Sequence, residues 1–515
     1  MPKPFYITTA IDYTNGAPHI GHAYEKVLAD VMARFHRLKG DDVFFLTGVD
    51  QHGQKVQRSA EKAGVSPQRF VDELTLKFIA LWEKLDVRYD IWAATTEPLH
   101  KKCVQGMLQR LYDEKQVYKD KQEGYYSIRQ EQFVTDKERG PDGEFGPEWG
   151  EVEHRVEENY YFRITRHKKW LLEYLRTHPG CVTPDFRQTE LINAVEKLSG
   201  DLCISRPKSR LSWGIELPFD PDYVNYVWFD ALTNYISFIG YDPSLSSFES
   251  QSSTFREKWP ALHIIGKDIL IPAHGIYWPI MLHALGFPDE QMPKFLVHGW
   301  WNSSGAKMSK SLGNVVDPDA LVEKYGAEAL RYYLISDMVI GKDADFSEER
   351  LVGRFNSELA NSLGNLLNRG LTMIWKFREG TLSRPPDAPG ESIEINSDPS
   401  TAIGSALRLA DHCNERIDAE KPWLLAKDPA RQKELDALLY RLAESLRLIA
   451  LLISPVLPRA AHGIFDQLDW KMELSGKEER FSLAETNWGG LPNGHVIGKP
   501  VPLFPRIETQ AKSEA

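Results

Sequence analysis

The first fifty residues alternate between apolar strands and a helix, and this alternation limits the possible folds more than any other feature of the chain. Residues 5–9 are predicted to form a short strand, residues 20–38 have helical periodicity and end before Gly40, a typical C-cap, and residues 42–47 form a second strand. Such alternation predicts an α/β fold with a parallel sheet, whose ligand site lies at the carboxyl ends of the strands.

The rest of the chain changes in composition and periodicity from one part to the next. Residues 117–207 are charged and interrupted by Gly and Pro, which predicts an inserted subdomain. The α/β pattern then returns, with predicted strands at 226–230, 261–266 and 294–298, and it ends near Ser347. Beyond it, a 3.6-residue period predicts a helical bundle over 351–378 and 400–468, with a solvated, Pro-rich loop at 383–400.

Composition excludes several classes of protein. The chain has 515 residues, enough for several domains, and it contains neither a long apolar run nor a signal-peptide pattern, so we expect a cytoplasmic protein without a membrane segment. A formal charge of −11 argues against broad binding of polyanions, so a nucleic-acid partner would need local basic patches. No C-x-x-C pair occurs among Cys103, Cys181, Cys203 and Cys413, which argues against a zinc knuckle or a disulfide framework.

Two histidines mark the start of the first predicted helix. His19 and His22 are three residues apart, with Gly21 between them, so both rings would lie on one face at the helix N-terminus. The exposed N–H groups and the positive end of the helix dipole favour a phosphate there, and glycine lets a ligand approach the backbone. The pattern indicates nucleotide handling, although a helix-start turn with a surface histidine would use the same residues.

A polar loop past the middle of the chain, residues 301–311, also suits a polyphosphate. It contains Gly305, several serines and two lysines, Lys307 and Lys310. It is not a Walker A loop, because Ala306 separates Gly305 from Lys307, and no G-x-G-x-x-G follows a predicted strand. An NTPase and a nicotinamide enzyme are therefore disfavoured.

Together, the two segments resemble the HIGH and KMSKS signatures of the class I aminoacyl-tRNA synthetases, letter for letter and in the family's order. The resemblance implies a Rossmann-type catalytic domain in which His19, His22, Lys307 and Lys310 contact ATP and stabilise the transition state as pyrophosphate leaves. It also implies that ATP binds with Mg²⁺, and that Lys310 matters most.

The flanking segments resemble the methionine branch of that family over nearly the whole chain. Residues 9–16, 48–53 and 227–231 are similar to its loop after the first strand, its Asp-x-His-Gly segment and its Val-Trp-x-Asp-Ala strand. The resemblance implies that Asp50 binds the substrate ammonium and that a pocket suited to a thioether is lined by Ile11, Tyr13, Trp228, Ala231, Leu232, Tyr235, Ile269, His274 and a mobile Trp278. The positions that it implies around adenosine and the catalytic centre are Gly21, Glu25, Arg206, Gly266, Asp268 and His298.

The chain departs from the family pattern in two places. One residue is inserted between Asp268 and His274, with a proline at 272, which predicts a bulge or loop before the helix that carries Trp278. The inserted subdomain also lacks the cysteine clusters with which many relatives bind zinc, so we expect no zinc. At about 90 residues, 117–207 is too short for the large editing domain of some other class I enzymes.

The helical part resembles the family's anticodon reader. Asn361, Asn365 and Arg369 are spaced four apart, so they would project from one helix face and could contact base edges. Trp423 follows Pro422 at a predicted helix start and could stack on a base. A polar, solvated helix face with one core tryptophan is the alternative.

The resulting prediction is a methionine-specific ligase with tRNA(Met), L-methionine and ATP as substrates. Another class I synthetase, a related nucleotidyltransferase and a non-catalytic RNA-binding relative are the alternatives. No appended C-terminal domain is recognised, so we expect a monomer. The predicted parts are a catalytic domain in two halves (1–116 and 208–298), a connective subdomain (117–207), a KMSKS loop and stem-contact region (299–350), an α-helical anticodon-binding domain (351–508) and a tail (509–515).

Overall fold

The computed structural model of the chain describes most of its residues, and structural statements below concern these. They are residues 2–127, 132–134, 136–140, 142–147, 149–303, 305–308, 313–385, 399–471 and 480–508. None of the helices in this part of the chain combines the length and apolar character needed to cross a bilayer.

The first part of the chain follows the predicted alternation. The predicted strands at 5–9 and 42–47 and the helix at 20–38 are confirmed. The elements are β1 (Pro4–Thr9), β2 (Asp12–Tyr13), α1 (Ile20–Leu38), β3 (Asp42–Asp50), α2 (Gln54–Ala63), α3 (Pro67–Lys84), β4 (Ile91–Ala94) and α4 (Pro98–Asp113).

The next segment is built around a long antiparallel hairpin. Its two main strands pair from Val117 opposite Phe162 to Ser127 opposite Val152. The elements are β5 (Val117–Ser127), β6 (Gln132–Val134), β7 (Val152–Phe162), α5 (Lys168–Thr177), β8 (Val182–Thr183), α6 (Asp185–Glu196), β9 (Leu202–Cys203) and β10 (Ser205–Pro207).

The α/β pattern then returns, with one correction. The predicted strand at 226–230 is wrong: the strand ends at Asn225, and Val227 starts a helix that buries Phe229, Leu232 and Ile236 at helical spacing. The elements are β11 (Glu216–Leu217), β12 (Asp220–Asn225), α7 (Val227–Ser237), α8 (Ser253–Lys258), β13 (Ala261–Gly266), α9 (Lys267–Ile269), α10 (Trp278–Ala284), β14 (Lys294–His298), β15 (Trp301–Ser303), β16 (Ala306–Lys307), α11 (Pro318–Tyr325), α12 (Ala327–Ser336) and β17 (Ala344–Phe346).

A seven-stranded parallel sheet organises the α/β part. Its order is β2-β3-β1-β13-β14-β8, with β4 also paired to β3. Strands from both ends of the α/β region therefore lie side by side, and the hairpin segment is inserted between them. One apolar core covers the sheet face under α1 and continues into the helical bundle, and a second covers the opposite face under α4 and α7. The predicted α/β fold class is confirmed.

The last part is helical, as predicted for 351–378 and 400–468. Its elements are α13 (Glu348–Arg354), a π-helical segment (Phe355–Gly364), α14 (Asn365–Arg378), α15 (Pro399–Glu420), α16 (Pro422–Leu425), α17 (Gln432–Ile453) and α18 (Pro458–Gln467). Most of the predicted loop at 383–400, residues 386–398, lies outside the described residues.

Arg331 on α12 joins the bundle to the α/β part. Its guanidinium, fully buried, forms an ion pair with Asp30 on α1 at 2.7 Å. It also donates to the carbonyls of Leu85, Pro455 and Val456 at 2.9–3.0 Å, the last two lying between α17 and α18. One side chain thus satisfies acceptors from three separate parts of the chain.

Arg331→Ala should therefore lower the free energy of unfolding by about 3–5 kcal/mol, since it leaves the Asp30 carboxylate buried with less compensation. Urea unfolding followed by tryptophan fluorescence measures the loss. The control is Arg459→Ala, at the same junction but with its side chain 59% exposed, which should cost less than about 1 kcal/mol. Equal losses in the two variants would contradict the role of Arg331.

Candidate active site

A cavity of about 600 Å³ opens at the carboxyl ends of β1, β3, β13 and β14. This is the edge of a parallel sheet at which ligands bind. Of the predicted site residues, those that line the cavity are Ile11, Tyr13, His19, Gly21, His22, Glu25, Asp50, Trp228, Ala231, Leu232, Tyr235, Gly266, Asp268, Ile269, His274 and His298.

His19 and His22 form the cap of α1. The Nδ1 atom of His19 accepts from the Gly21 N–H at 3.1 Å, and that of His22 accepts from the His19 N–H at 3.1 Å. The two rings stack with their centroids 3.8 Å apart. Because Nδ1 is an acceptor in both rings, each neutral ring carries its proton on Nε2, a donor suited to phosphate oxygens.

A buried lysine connects the segments around this cap. The Lys26 ammonium lies 2.7 Å from Asp12 Oδ1, 3.0 Å from Glu25 Oε1 and 2.8 Å from the Ala10 carbonyl. Glu25 Oε2 also pairs with His298 Nε2 at 3.1 Å, at the end of β14. The network therefore spans the β1–β2 connection, α1 and β14.

One lysine cannot neutralise two buried carboxylates equally. Although burial raises the pKa of Glu25, Lys26 and His298 outweigh it and keep that pKa below its usual range. For Asp12, burial dominates over Lys26 and raises the pKa to about 7. Asp12 Oδ2 is buried without a hydrogen-bond partner among the described residues. Asp12 is thus the carboxyl of this network that takes up a proton near neutral pH.

A second buried network holds the loop after β3. Asp230 on α7 accepts from His52 Nδ1 and from His100 Nε2, both at 2.7 Å. Burial alone would raise the pKa of Asp230, but the attraction of His52 and the hydrogen bonds from both histidines lower it to about 2. The His52 N–H lies 3.3 Å from Asp50 Oδ1, so this network orients the carboxylate that lines the cavity.

Tyr235 and His274 meet in the apolar part of the cavity. His274 Nδ1 lies 3.0 Å from the Ile269 carbonyl, so this nitrogen is the donor and Nε2 accepts the Tyr235 hydroxyl at 2.8 Å. Burial lowers the pKa of His274 to about 4, so the ring is neutral at physiological pH. The pair presents a neutral polar tip within a wall of aromatic and aliphatic side chains.

The inserted residue is accommodated as predicted, by a bulge before α10. Residues Leu270–Tyr277 form a π-helical segment that is interrupted at Ile271, where φ is −114° and ψ is 122°. Ile269 and His274 still line the cavity. Trp278 does not: it is fully buried, and its Nε1 donates to His263 at 3.1 Å, so the predicted lining by Trp278 is not seen.

Arg206 also does not line the cavity but packs behind a residue that does. Its guanidinium lies 4.4 Å from the ring centroid of Tyr226, which does line the cavity, and it donates to the Ser205 carbonyl at 2.7 Å. Its predicted catalytic role would therefore act through Tyr226.

The lysine loop is described only in part. The backbone of Lys307 belongs to β16, opposite Asn302, and Met308 lines the cavity, which brings this end of the loop to the site. The Lys307 side chain and the whole of Lys310 lie outside the described residues.

Several cavity residues were not anticipated. They are Ala10, Asp12, Lys55, Tyr226, Val227, Pro272, Tyr277, Gly299, Trp300, Trp301 and Met308. Most directly neighbour a predicted residue in sequence. Lys55 could have been suspected from its place just after the Asp-x-His-Gly segment.

The predicted anticodon residues lie on the bundle surface. Asn361 and Asn365 are exposed, and Arg369 forms an ion pair with Asp418 at 2.6 Å. The π-helical segment ends at Gly364, between the two asparagines, so the assumed regular α-helical spacing does not hold there. The Trp423 side chain is 43% exposed at the start of α16, which leaves its ring accessible.

A Rossmann-type sheet with capping histidines at α1 and a lysine loop after β14 defines the catalytic domain of a class I aminoacyl-tRNA synthetase. In agreement, the family model described as tRNA synthetases class I (M) matches residues 5–142 and 149–371.

Individual relatives identify the branch. The chain is 41% identical to the methionine–tRNA ligases of Caldanaerobacter subterraneus subsp. tengcongensis and Deinococcus radiodurans, over 99% of its own length and 80% and 75% of theirs. A solved Mycobacterium tuberculosis methionyl-tRNA synthetase in complex with methionyl-adenylate superposes with a TM-score of 0.87 at 35% identity, covering 98% of this chain and 100% of that one. The chain belongs to the methionine–tRNA ligase family.

In the part of the chain that the structure describes, the side chains that could bind a metal do not form a metal centre. Three of the four free cysteines are buried, and no three His, Cys, Asp or Glu side chains are grouped so as to hold an ion. That the protein contains no zinc stays a prediction.

The raised pKa of Asp12 predicts a pH-dependent stability. Between about pH 4 and 7 the folded protein holds a proton on Asp12 that the unfolded chain has released, so this group makes stability fall as pH rises. Asp12→Asn should remove this pH dependence. Measured by urea unfolding between pH 5 and 7, the free energy of unfolding of the wild type should fall by up to a few kcal/mol relative to that of the variant. Asp42→Asn removes an exposed carboxyl on β3 and should leave the slope unchanged. If the free energies of unfolding of the wild type and of Asp12→Asn differ by the same amount at every pH, Asp12 does not have a raised pKa.

Proposed function

We propose that this chain activates L-methionine with ATP to methionyl-adenylate and transfers the methionyl group to the 3′-terminal ribose of tRNA(Met). The observation that carries the proposal is the convergence, in one cavity, of the capping histidines of α1 with the Tyr235–His274 pocket and Asp50. Membership of the methionine–tRNA ligase family supports it.

The activation step requires little covalent participation by the protein. A methionine carboxylate oxygen attacks the α-phosphorus of Mg-ATP, and the bond to pyrophosphate breaks; the attacking carboxylate has no proton to lose. The contribution of the protein is to orient the reactants and to stabilise charge as it moves to pyrophosphate. His19 and His22 supply Nε2–H donors for phosphate oxygens, and Lys307, at the end of β16, and Lys310 supply positive charge.

The adenosine is proposed to lie over β13 and β14. Gly266 ends β13 and allows close approach, while Asp268, Glu25 and His298 offer acceptors and donors to the ribose and base. In the second step the 2′-hydroxyl of the terminal ribose attacks the methionyl carbonyl carbon, the bond from that carbon to the phosphate oxygen breaks, and AMP leaves with its phosphate taking up the hydroxyl proton.

Methionine is proposed to bind between Asp50 and the Tyr235–His274 pair. The Asp50 carboxylate suits the substrate ammonium. Trp228, Ala231, Leu232 and Ile11 provide dispersion contacts, and the Tyr235 hydroxyl, whose proton is held by His274, offers a polar tip to the thioether end. Because one methylene is worth only ~1–3 kcal/mol in an apolar pocket, any rejection of homocysteine would occur within this synthetic site.

The helical part is proposed to read the anticodon through Asn361, Asn365, Arg369 and Trp423. Their positions on the bundle surface and the exposure of Trp423 support this. A monomeric state, a cytoplasmic location and the use of Mg²⁺ complete the proposal.

Lys310→Ala should slow methionine-dependent ATP–pyrophosphate exchange by roughly 10²–10³-fold while leaving methionine affinity nearly intact, because the lysine is proposed to stabilise the charge that develops on the leaving pyrophosphate. The exchange assay with a methionine titration measures both effects. Lys342→Ala, an exposed lysine outside the loop, is the control. Wild-type exchange in Lys310→Ala would refute the role, and exchange driven by another amino acid in the wild type would refute the substrate.

Trp423→Ala should reduce kcat/KM for tRNA charging by about tenfold, the value of one lost base stack, while adenylate formation is spared. Leu424→Ala is the matched control, because Leu424 is adjacent and 50% exposed. Equal loss in the charging and exchange assays would indicate a folding defect and contradict a role in tRNA recognition.

A further inference from the structure

Lys55 is a cationic side chain of the cavity that the proposed mechanism does not use. It lies in the first turn of α2, its side chain is exposed, and it lines the cavity. No hydrogen bond or ion pair joins its ammonium to a residue that the structure describes. The cavity is also lined by Asp12, Glu25, Asp50 and Asp268, and of these Asp12 and Glu25 are paired with Lys26, so Lys55 is a cationic side chain of the lining without a partner among the described residues.

The position of Lys55 separates it from the proposed nucleotide site. Along the sheet edge the order is β3, β1, β13 and β14. Gly266, Asp268 and His298 lie at the β13–β14 end, and the histidines of α1 follow β1. Lys55 follows β3, at the other end of the cavity, beside Asp50.

The turn that carries Lys55 is fixed to the segment after the inserted subdomain. The Trp213 indole N–H donates to the Gln51 carbonyl at 2.6 Å, and the Gly53 N–H donates to the Trp213 carbonyl at 3.3 Å. The backbone N–H groups of Ser212 and Trp213 both donate to Gln57 Oε1, at 3.0 and 3.1 Å. Lys55 therefore lies where the inserted part joins the sheet, on a turn held at both sides.

The second step of the reaction brings one more anion to this cavity. Once methionyl-adenylate occupies the β13–β14 end and the methionine pocket, the terminal nucleotide of the tRNA must approach from the side that is still open. Its last phosphodiester, a few bonds from the attacking 2′-hydroxyl, then needs a cation, and lysine binds phosphate as a point charge. Lys55 would repel the methionine ammonium, which is proposed to bind Asp50, so Lys55 is not a ligand of that ammonium.

We propose that Lys55 binds the last phosphodiester of the tRNA acceptor end and so positions the terminal ribose for methionyl transfer. This inference rests on the proposed function. It assigns Lys55 to the second step alone, in contrast to the lysines of the 307–310 loop, which act on ATP.

The test separates the two steps in the full-length chain. Lys55→Ala should leave the KM values for methionine and ATP in pyrophosphate exchange within about twofold of wild type. The single-turnover transfer rate from preformed methionyl-adenylate to tRNA, at subsaturating tRNA, should fall by about tenfold, the effect of one lost charge-assisted contact. Lys55→Arg should restore most of that rate, since it keeps the charge.

Lys62→Ala is the matched control, an exposed lysine near the end of the same helix. It should leave both steps unchanged. A raised methionine KM in Lys55→Ala exchange would assign Lys55 to the methionine carboxylate and overturn the proposal, as would unchanged transfer. If instead the wild type shows no methionine-dependent exchange, the proposed function itself fails.

Discussion

The buried ammonium of Lys26 determines how the strand ends around the cavity are arranged. It has three oxygen partners, contributed by Ala10, Asp12 and Glu25, and all lie within 3.0 Å. A charge removed from water costs several kcal/mol unless its surroundings replace the lost hydration. The connection from β1 to β2 and the second turn of α1 can therefore adopt only arrangements that keep these oxygens around Lys26. Through Glu25 the same constraint reaches His298 at the end of β14.

The hydrogen-bond network of Asp230 fixes a second set of segments around the cavity. It joins His52 after β3, His100 on α4 and Asp230 on α7, three segments far apart in the sequence. Each network is buried, and each ends on a carboxylate that lines the cavity, Glu25 in one and Asp50, through the His52 N–H, in the other. Side chains held in this way need little reorganisation when a charged substrate binds, which is what electrostatic catalysis requires.

The sequence predicted those features that depend on neighbouring residues. The helix from Ile20 onward and the strands at 261–266 and 294–298 follow from local periodicity and caps. The error at 226–230 has the same origin: a run of four apolar or aromatic residues before Asp230 does not distinguish a strand from a helix, and the buried face only becomes apparent at Leu232 and Ile236. Lys26 could not have been predicted as buried, because only the folded chain brings Asp12 to it.

The charges of the cavity also constrain how a nucleotide can lie in it. A triphosphate is disfavoured beside Glu25, Asp50 or Asp268, whereas ribose hydroxyls can donate to such carboxylates. The first turn of α1 differs, because the positive end of the helix dipole and the Nε2–H donors of His19 and His22 favour an anion, while the N–H groups of Ile20 and Gly21 are already paired. With Glu25 and Asp268 near the ends of β13 and β14, the favourable orientation places the ribose there and the phosphates toward α1. The acidic lining thus disfavours the reverse orientation, with the phosphates against the carboxylates, and this supports the proposed placement of ATP.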